Sequence, residues 1–525
     1  MSIVFLPVLI AGVGVLQPAF DLATWQALLV EPQLPLALRH TFFSAIGSTL
    51  LAVVLALSTV ILLYPSHWWQ WLVKRLAVLL AFPHLAFAVG FGFLIAPSGF
   101  IARMLAPLFS WSSPPSWQLP QDSYALSLMV GLALKESWFL LWVLTSLLQQ
   151  HSTLRALHVA QSLGYGRLQI WLQVLLPQVL PRLAWPLMAV LAYSVSVVDM
   201  ALVLAPTTPP PLAVLGWQWF NDLDPKRFAL GSAVSVLLLL IILGLSTLGY
   251  GLFKLYPLFN RYLSGKRWRS GLLSSSTLQK AIAINVVLIG WLALILLSIW
   301  SFANQWFYPS LLPSTWTLKG WWQLEGTLLT NTLVLGLSSS LVAVIVVISW
   351  LEAFAKNRVE LWYFPLVLPA VPLVVAQYEV VIRLHSESTY LALVWAHLLW
   401  VVPYVLLVLA STYQNFDQRL MLTAQALGHS DARILFQVKL PLLWRPISAA
   451  FAVGFAVSVA QYLPTVMIGA GQISTLTTEA VVLSTGGNRR TLAVYALGQA
   501  LLPWLMFLLM MGLTYWQSYK RSGLR

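Results

Sequence analysis

The chain has 525 residues, 59% hydrophobic and 8% charged, with a formal net charge of +14 and no cysteine. So little polar surface cannot cover a core of this size in water, which excludes a soluble globular protein and leaves lipid as the main solvent. The Lys and Arg residues lie in short loops and not in a basic domain with base-reading elements, which excludes a nucleic-acid reader, while the missing cysteines exclude disulfides, thiolate metal sites and cysteine nucleophiles.

A helix needs about 20 apolar residues to cross roughly 30 Å of hydrocarbon. Residues Met1 to Phe20 are apolar and carry no Lys or Arg. They lack the basic n-region of a signal peptide and read as a retained first helix, with a short span near 2–17 that contains Pro7. Further spans read near 40–63, 76–96, 123–149, 183–205, 228–253, 280–303, 329–354, 361–382, 388–412, 446–468 and 491–516, making twelve, six per half. With both termini in the cytoplasm, twenty Lys and Arg fall in inner loops and eight in outer ones, Lys135 staying inside a span. The fold class is therefore an all-α polytopic membrane protein. An even number of spans per half makes the halves parallel repeats, related by an axis along the membrane normal.

Chemistry-bearing residues follow in chain order. His84 after Pro83 reads as satisfying backbone freed by that proline. Lys135 and Glu136 lie near the middle of the fourth span, where a charge costs about 2.5 to 3.5 kcal/mol or more unless it is paired or hydrated. Neighbours on a helix diverge by about 100°, so the two do not simply neutralise each other. Their second-half counterparts are Leu399 and Trp400, and either substrate selectivity or a structural ion pair explains them. Next comes a cytoplasmic loop, Ala160 to Pro177, reading AQSLGYGRLQIWLQVLLP. Leu168, Trp171, Leu172 and Leu175 within it form an apolar helical stripe. Asp199 matches Gln461 across the duplication, and both read as lining a translocation pathway or as bonding helix to helix. A basic, Ser-rich connector, Lys254 to Lys280, separates the halves.

The second half repeats the first. Thr41 matches Thr332, Pro83 matches Pro369, and the loop returns as Ala424 to Pro441, AQALGHSDARILFQVKLP, with Ala432, Leu435 and Phe436 on the stripe. Each copy keeps Ala-Gln-x-Leu-Gly with a Leu-Pro thirteen residues after the Gly. The two halves are thus 1–263, with its loop about 151–181, and 264–525, with its loop about 413–445. A loop repeated more faithfully than its flanking spans suggests two docking surfaces for a paired partner.

This pattern resembles the coupling loop of ABC importer permeases, whose signature is Glu-Ala-Ala, three residues, Gly, then Leu-Pro thirteen residues after the Gly. The resemblance assigns ATPase coupling to Ala160, Gln161, Leu163, Gly164, Leu176 and Pro177, and to Ala424, Gln425, Leu427, Gly428, Leu440 and Pro441. His158 and Leu422 stand where the signature Glu would be, so no ion pair through that Glu carries over. Six-helix halves fused in one chain are similar to the thiamine and ferric-iron importer permeases, the Ynj-type bacterial permeases among them. The resemblance implies a transport subunit of the bacterial inner membrane, with no catalytic residue, metal or cofactor of its own. Two copies of a separate ABC ATPase, carrying ATP and magnesium, would dock on the cytoplasmic side, and a periplasmic or lipid-anchored solute-binding protein outside. The chain itself has no GxxxxGK[ST] phosphate loop. The alternative is an ion-coupled secondary transporter of twelve helices using Lys135, Glu136 and Asp199, which leaves the twin loops unexplained. Thiamine, iron and polyamine all stay open as cargo.

Overall fold

The computed structural model describes residues 2–148, 151–263, 276–354 and 359–522. Of the basic residues used to orient the chain, Lys266, Arg267, Arg269, Lys356, Arg358 and Arg525 lie outside them. The main helices are α1 (Ser2–Leu16), α2 (Leu34–Leu63), α3 (His84–Ile95), α4 (Leu126–Leu148), α5 (Leu176–Ser196), α6 (Pro225–Leu263), α7 (Ser276–Phe302), α8 (Gly326–Ala353), α9 (Ala370–Arg383), α10 (Tyr390–Gln414), α11 (Trp444–Ala460) and α12 (Arg489–Ser522).

Ten described helices are long and apolar enough to cross a membrane, or eleven when Asp431–Leu442 and α11, bent by 76°, count as one span. Twelve are expected from the sequence, and the ninth, near 361–382, is the one that falls short. Its α-helical part is the 14 residues of α9, about 21 Å at 1.5 Å per residue. The rest is a 3-10 stretch, Val359–Leu366, containing Pro365. A proline cannot donate to the helical ladder, so apolar composition alone overstates the span here.

Two compact units form. One comprises Leu16–Gly320 with Ser484–Val494; the other comprises Met1–Val15, Trp321–Leu483 and Tyr495–Arg525. The first helix of each repeat is therefore grouped with the other repeat's helices. In the first unit α7 lies against α3 so closely that a Cβ on Gly90 would sit 2.5 Å from the Ala293 carbonyl oxygen. The indole of Trp138 on α4 donates to Val286 O at 3.1 Å. A short antiparallel pair, Ala303–Gln305 with Thr315–Trp316, follows α7. In the second unit α1 rests Phe5 on the rings of Trp362 and Phe364, and Trp395 Nε1 donates to Ile3 O at 3.2 Å.

The threonine pair noticed in the sequence has one job in both units. Thr41 Oγ1 donates to Ala37 O and accepts from Leu212 N at 2.8 Å; Thr332 Oγ1 donates to Leu328 O and accepts from Leu476 N at 3.0 Å. Each hydroxyl thereby satisfies a free N–H at the start of a short helix, Leu212–Phe220 or Leu476–Ser484. Around them α2 and α8 bury small residues, among them Ser44, Ala45, Ser48 and Ala52 in α2, and Gly336, Ser339, Ser340 and Ala343 in α8. Small side chains let backbones approach where lipid offers no hydrophobic drive for helix association.

Candidate functional site

The twin loops fold alike down to single hydrogen bonds. Gly164 and Gly428 take φ of 80° and 81°. That left-handed conformation is readily open only to glycine and ends the preceding helices, His151–Ser162 and Gln418–Ala426. Tyr165 N donates to Ala160 O and His429 N to Ala424 O, both at 3.2 Å, closing the same turn. After a four-residue helical start, each copy widens into a π turn, Trp171–Leu175 or Leu435–Lys439, directly before its Leu-Pro. Leu176 N reaches Trp171 O, and Leu440 N reaches Leu435 O. The cause is the proline. In an α-helix its ring would meet the carbonyl four residues earlier and its missing N–H would leave that carbonyl free, and the wider turn displaces both problems.

In the first copy the stripe read from the sequence is covered, with Trp171 and Leu175 buried, Leu168 and Leu172 half-buried and Gln169 and Ile170 buried beside them. In the second copy it is not: Leu435 is half-buried, while Ala432 and, at 67%, Phe436 are exposed. Of the coupling residues, Ala160 and Ala424 are buried against their own loops, and Leu176, Pro177, Leu440 and Pro441 are half-buried. Gln161, Gln425 and both glycines are exposed, as are Leu163 at 54% and Leu427 at 72%. Each loop therefore exposes one leucine beside its glycine.

The loops are anchored differently, which the sequence reading missed. In the first, Arg167 donates to Tyr64 O at 2.6 Å and Trp171 lies edge-on to the Tyr64 ring. In the second, Lys439 pairs with Glu352 at the end of α8 at 2.6 Å, and Tyr413 donates to the same carboxylate. A lysine within an otherwise apolar Val-Lys-Leu-Pro run was the available signal for this anchor.

Deeper in each unit the span following the loop breaks. α5 ends at Ser196, Val197 is extended, and a short helix resumes at Asp199–Leu204. α11 ends at Ala460, Gln461 is extended, and Leu463–Gly469 resumes. Asp199 and Gln461 thus sit at matching discontinuities. Asp199 Oδ1 accepts from Tyr193 OH at 3.4 Å, the Tyr193 ring lies 4.8 Å from that of His84, and His84 Nε2 is 3.2 Å from Glu136 Oε1. Two carboxylates, a phenol and an imidazole therefore form one polar cluster within the first unit. In the second unit Gln461 Nε2 donates to His397 O at 3.1 Å, and among the described residues its Oε1 is buried without a partner. His397 itself is clamped between Ser458 Oγ at 2.7 Å and Thr465 Oγ1 at 3.0 Å.

Lys135 does not join that cluster. Its ammonium donates to Leu79 O at 3.0 Å, to Leu80 O and to Phe82 O, the free carbonyls where helix His67–Leu80 stops before Pro83. So Lys135, and not His84, satisfies the backbone ending at that proline, while His84 turns to Glu136. Removing the ammonium by Lys135→Ala would leave buried carbonyls unpaired at about 1–3 kcal/mol. We expect a clear fall in Tm of the purified chain, and loss of transport at an unchanged Tm would contradict this anchoring role.

No protein-family model matches this chain. It is 40% identical, over 527 residues that take in 100% of this chain and 97% of the relative, to the inner membrane ABC transporter permease protein YnjC of Escherichia coli (strain K12). A spermidine/putrescine transport system permease protein PotC homolog of Mycoplasma genitalium is 26% identical over 166 residues, 29% of this chain and 57% of that protein. The corresponding homolog of Mycoplasma pneumoniae is 25% identical over 164 residues. An ion-coupled secondary transporter has no place beside a full-length identity of this size. With its helical, multi-pass architecture and one loop built twice, the chain belongs to the ABC transporter permeases.

Proposed function

We propose that this permease is the membrane subunit of a binding-protein-dependent importer, moving a small solute across the bacterial inner membrane by alternating access. The reading is carried by the twin loops, which present the same turn and the same exposed leucine twice. A separate ATPase supplies the energy, one copy beneath each loop, and Gly164 with Leu163, and Gly428 with Leu427, enter its grooves. The two permease halves are 1–263 and 264–525. Tagged chain isolated from its own host should carry two ATPase copies by mass; a single copy or none overturns this stoichiometry.

Both termini and the connector face the cytoplasm in this reading. Because the chain has no cysteine, single introduced cysteines can be labelled cleanly. Cysteine at Trp268 should react only from inside and cysteine at Gly487 only from outside. Outside labelling at 268 would overturn the orientation of both halves.

The solute contacts Asp199 and Gln461 at the broken spans and Glu136 on the unbroken α4, and its class is a small cation or a hydrogen-bonding amine. Polyamine transport in the names of the partial relatives and the two carboxylates of the first unit support this class. A solute-binding protein outside does most of the selecting.

A further inference from the structure

A cavity of about 750 Å³ lies within the first unit where α7 ends, away from the polar cluster and from the loops. Its lining includes Arg103, Arg489, Arg490, Trp300 and Trp306, and no carboxylate. Arg103, 2% exposed, is a scaffold: it donates to Ser98 O at 3.0 Å, Phe307 O at 2.8 Å, Trp306 O at 3.3 Å and Ser310 O. Arg489 reaches the same Ser98 through its hydroxyl at 2.8 Å, so two guanidinium groups converge on one residue. Arg490 donates to Asn304 Oδ1 at 3.2 Å. Every acceptor is neutral. Three like charges gathered with no counter-charge among the described residues of the lining repel one another, and the repulsion is relieved most directly by a bound anion.

The surroundings suit a phosphate group. Arg103 lies 4.7 Å from the Trp306 ring centre and Arg489 5.5 Å from that of Trp300, which fixes their planes and partly strips their water. Among the described residues Arg489 and Arg490 each use one side-chain N–H for the bonds above, leaving donors in the forked geometry that matches phosphate oxygens. Tryptophans at the end of a membrane-crossing helix also mark the depth of lipid headgroups. We infer that the arginine-lined cavity at the end of α7 binds the phosphate group of an anion, supplied by an anionic phospholipid headgroup or by free phosphate.

The test uses the full chain purified in detergent, with lipid binding followed by native mass spectrometry and Tm. Phosphatidylglycerol should bind and raise Tm more than phosphatidylcholine does. The double variant Arg489→Gln, Arg490→Gln, which leaves the Arg103 scaffold intact, should bind it about tenfold more weakly; Lys226→Gln, an exposed control, should behave as the parent. If inorganic phosphate alone raises Tm with the same dependence on Arg489 and Arg490, the site takes a soluble anion. Equal binding of both lipids with no response to phosphate overturns the proposal, as does full phosphatidylglycerol affinity in the folded double variant.

Discussion

Replacing Gly164 and Gly428 together by valine should abolish ATP-driven uptake while leaving the chain in the membrane. Both residues hold φ near 80°, where a side chain with a Cβ costs about 1–2 kcal/mol and a β-branched one more. The penalty is purely conformational at Gly428, since a Cβ there would meet nothing within 4 Å. Valine would therefore be tolerated sterically but would push the turn out of its left-handed form, breaking the His429 to Ala424 bond and displacing the exposed Leu427. With two such turns displaced, coupling should fall well beyond tenfold, the change expected from about 1.4 kcal/mol. Asparagine, which enters the left-handed region more readily, should retain more uptake than valine at each site. His158→Ala and Leu422→Ala should be milder, because those exposed positions already depart from the Glu of the family signature and make no use of a charge there. Uptake assays on membranes with matched amounts of inserted chain decide this: normal uptake in the double glycine variant refutes the docking role, and equal loss at all four sites refutes the ranking.

What the sequence made legible is what it wrote twice. The loops, the threonines at 41 and 332 and the Asp199 and Gln461 positions could be found because two copies separate a constrained pattern from a chance one. The ninth span was misjudged because hydropathy counts apolar residues and is blind to the interruption at Pro365. Lys135 was visible only as a cost. The carbonyls that accept it belong to a helix end more than fifty positions earlier in the chain, and nothing in the sequence names that partner. The grouping of α1 and α7 with the opposite repeats was equally hidden. An apolar helix in lipid shows which residues avoid water, not which neighbour they meet. Likewise the π turns follow from prolines already noticed, whereas the different exposure of the two apolar stripes depends on neighbours that the loop sequence does not name.

Asp199→Asn should lower the transport rate several-fold without changing which solute is carried. Asp199 accepts one long side-chain bond from Tyr193 and backbone N–H bonds from Met200 and from its own amide, and it shares the imidazole of His84 with Glu136. Two carboxylates served by one imidazole in a low-dielectric span are costly, and a passing cation offsets that cost during transit. Loss of the charge therefore weakens an occupied state near the break, while in the importer reading proposed above selection stays with a separate binding protein. Glu136→Gln should act in the same direction and less strongly, since His84 supplies a partner whether or not solute is present. Paired Asp199→Ala and Gln461→Ala probe both discontinuities at once. If transport and substrate-stimulated ATPase activity are both unaltered in that variant, the two side chains serve only the packing of the broken spans, and the pathway runs elsewhere.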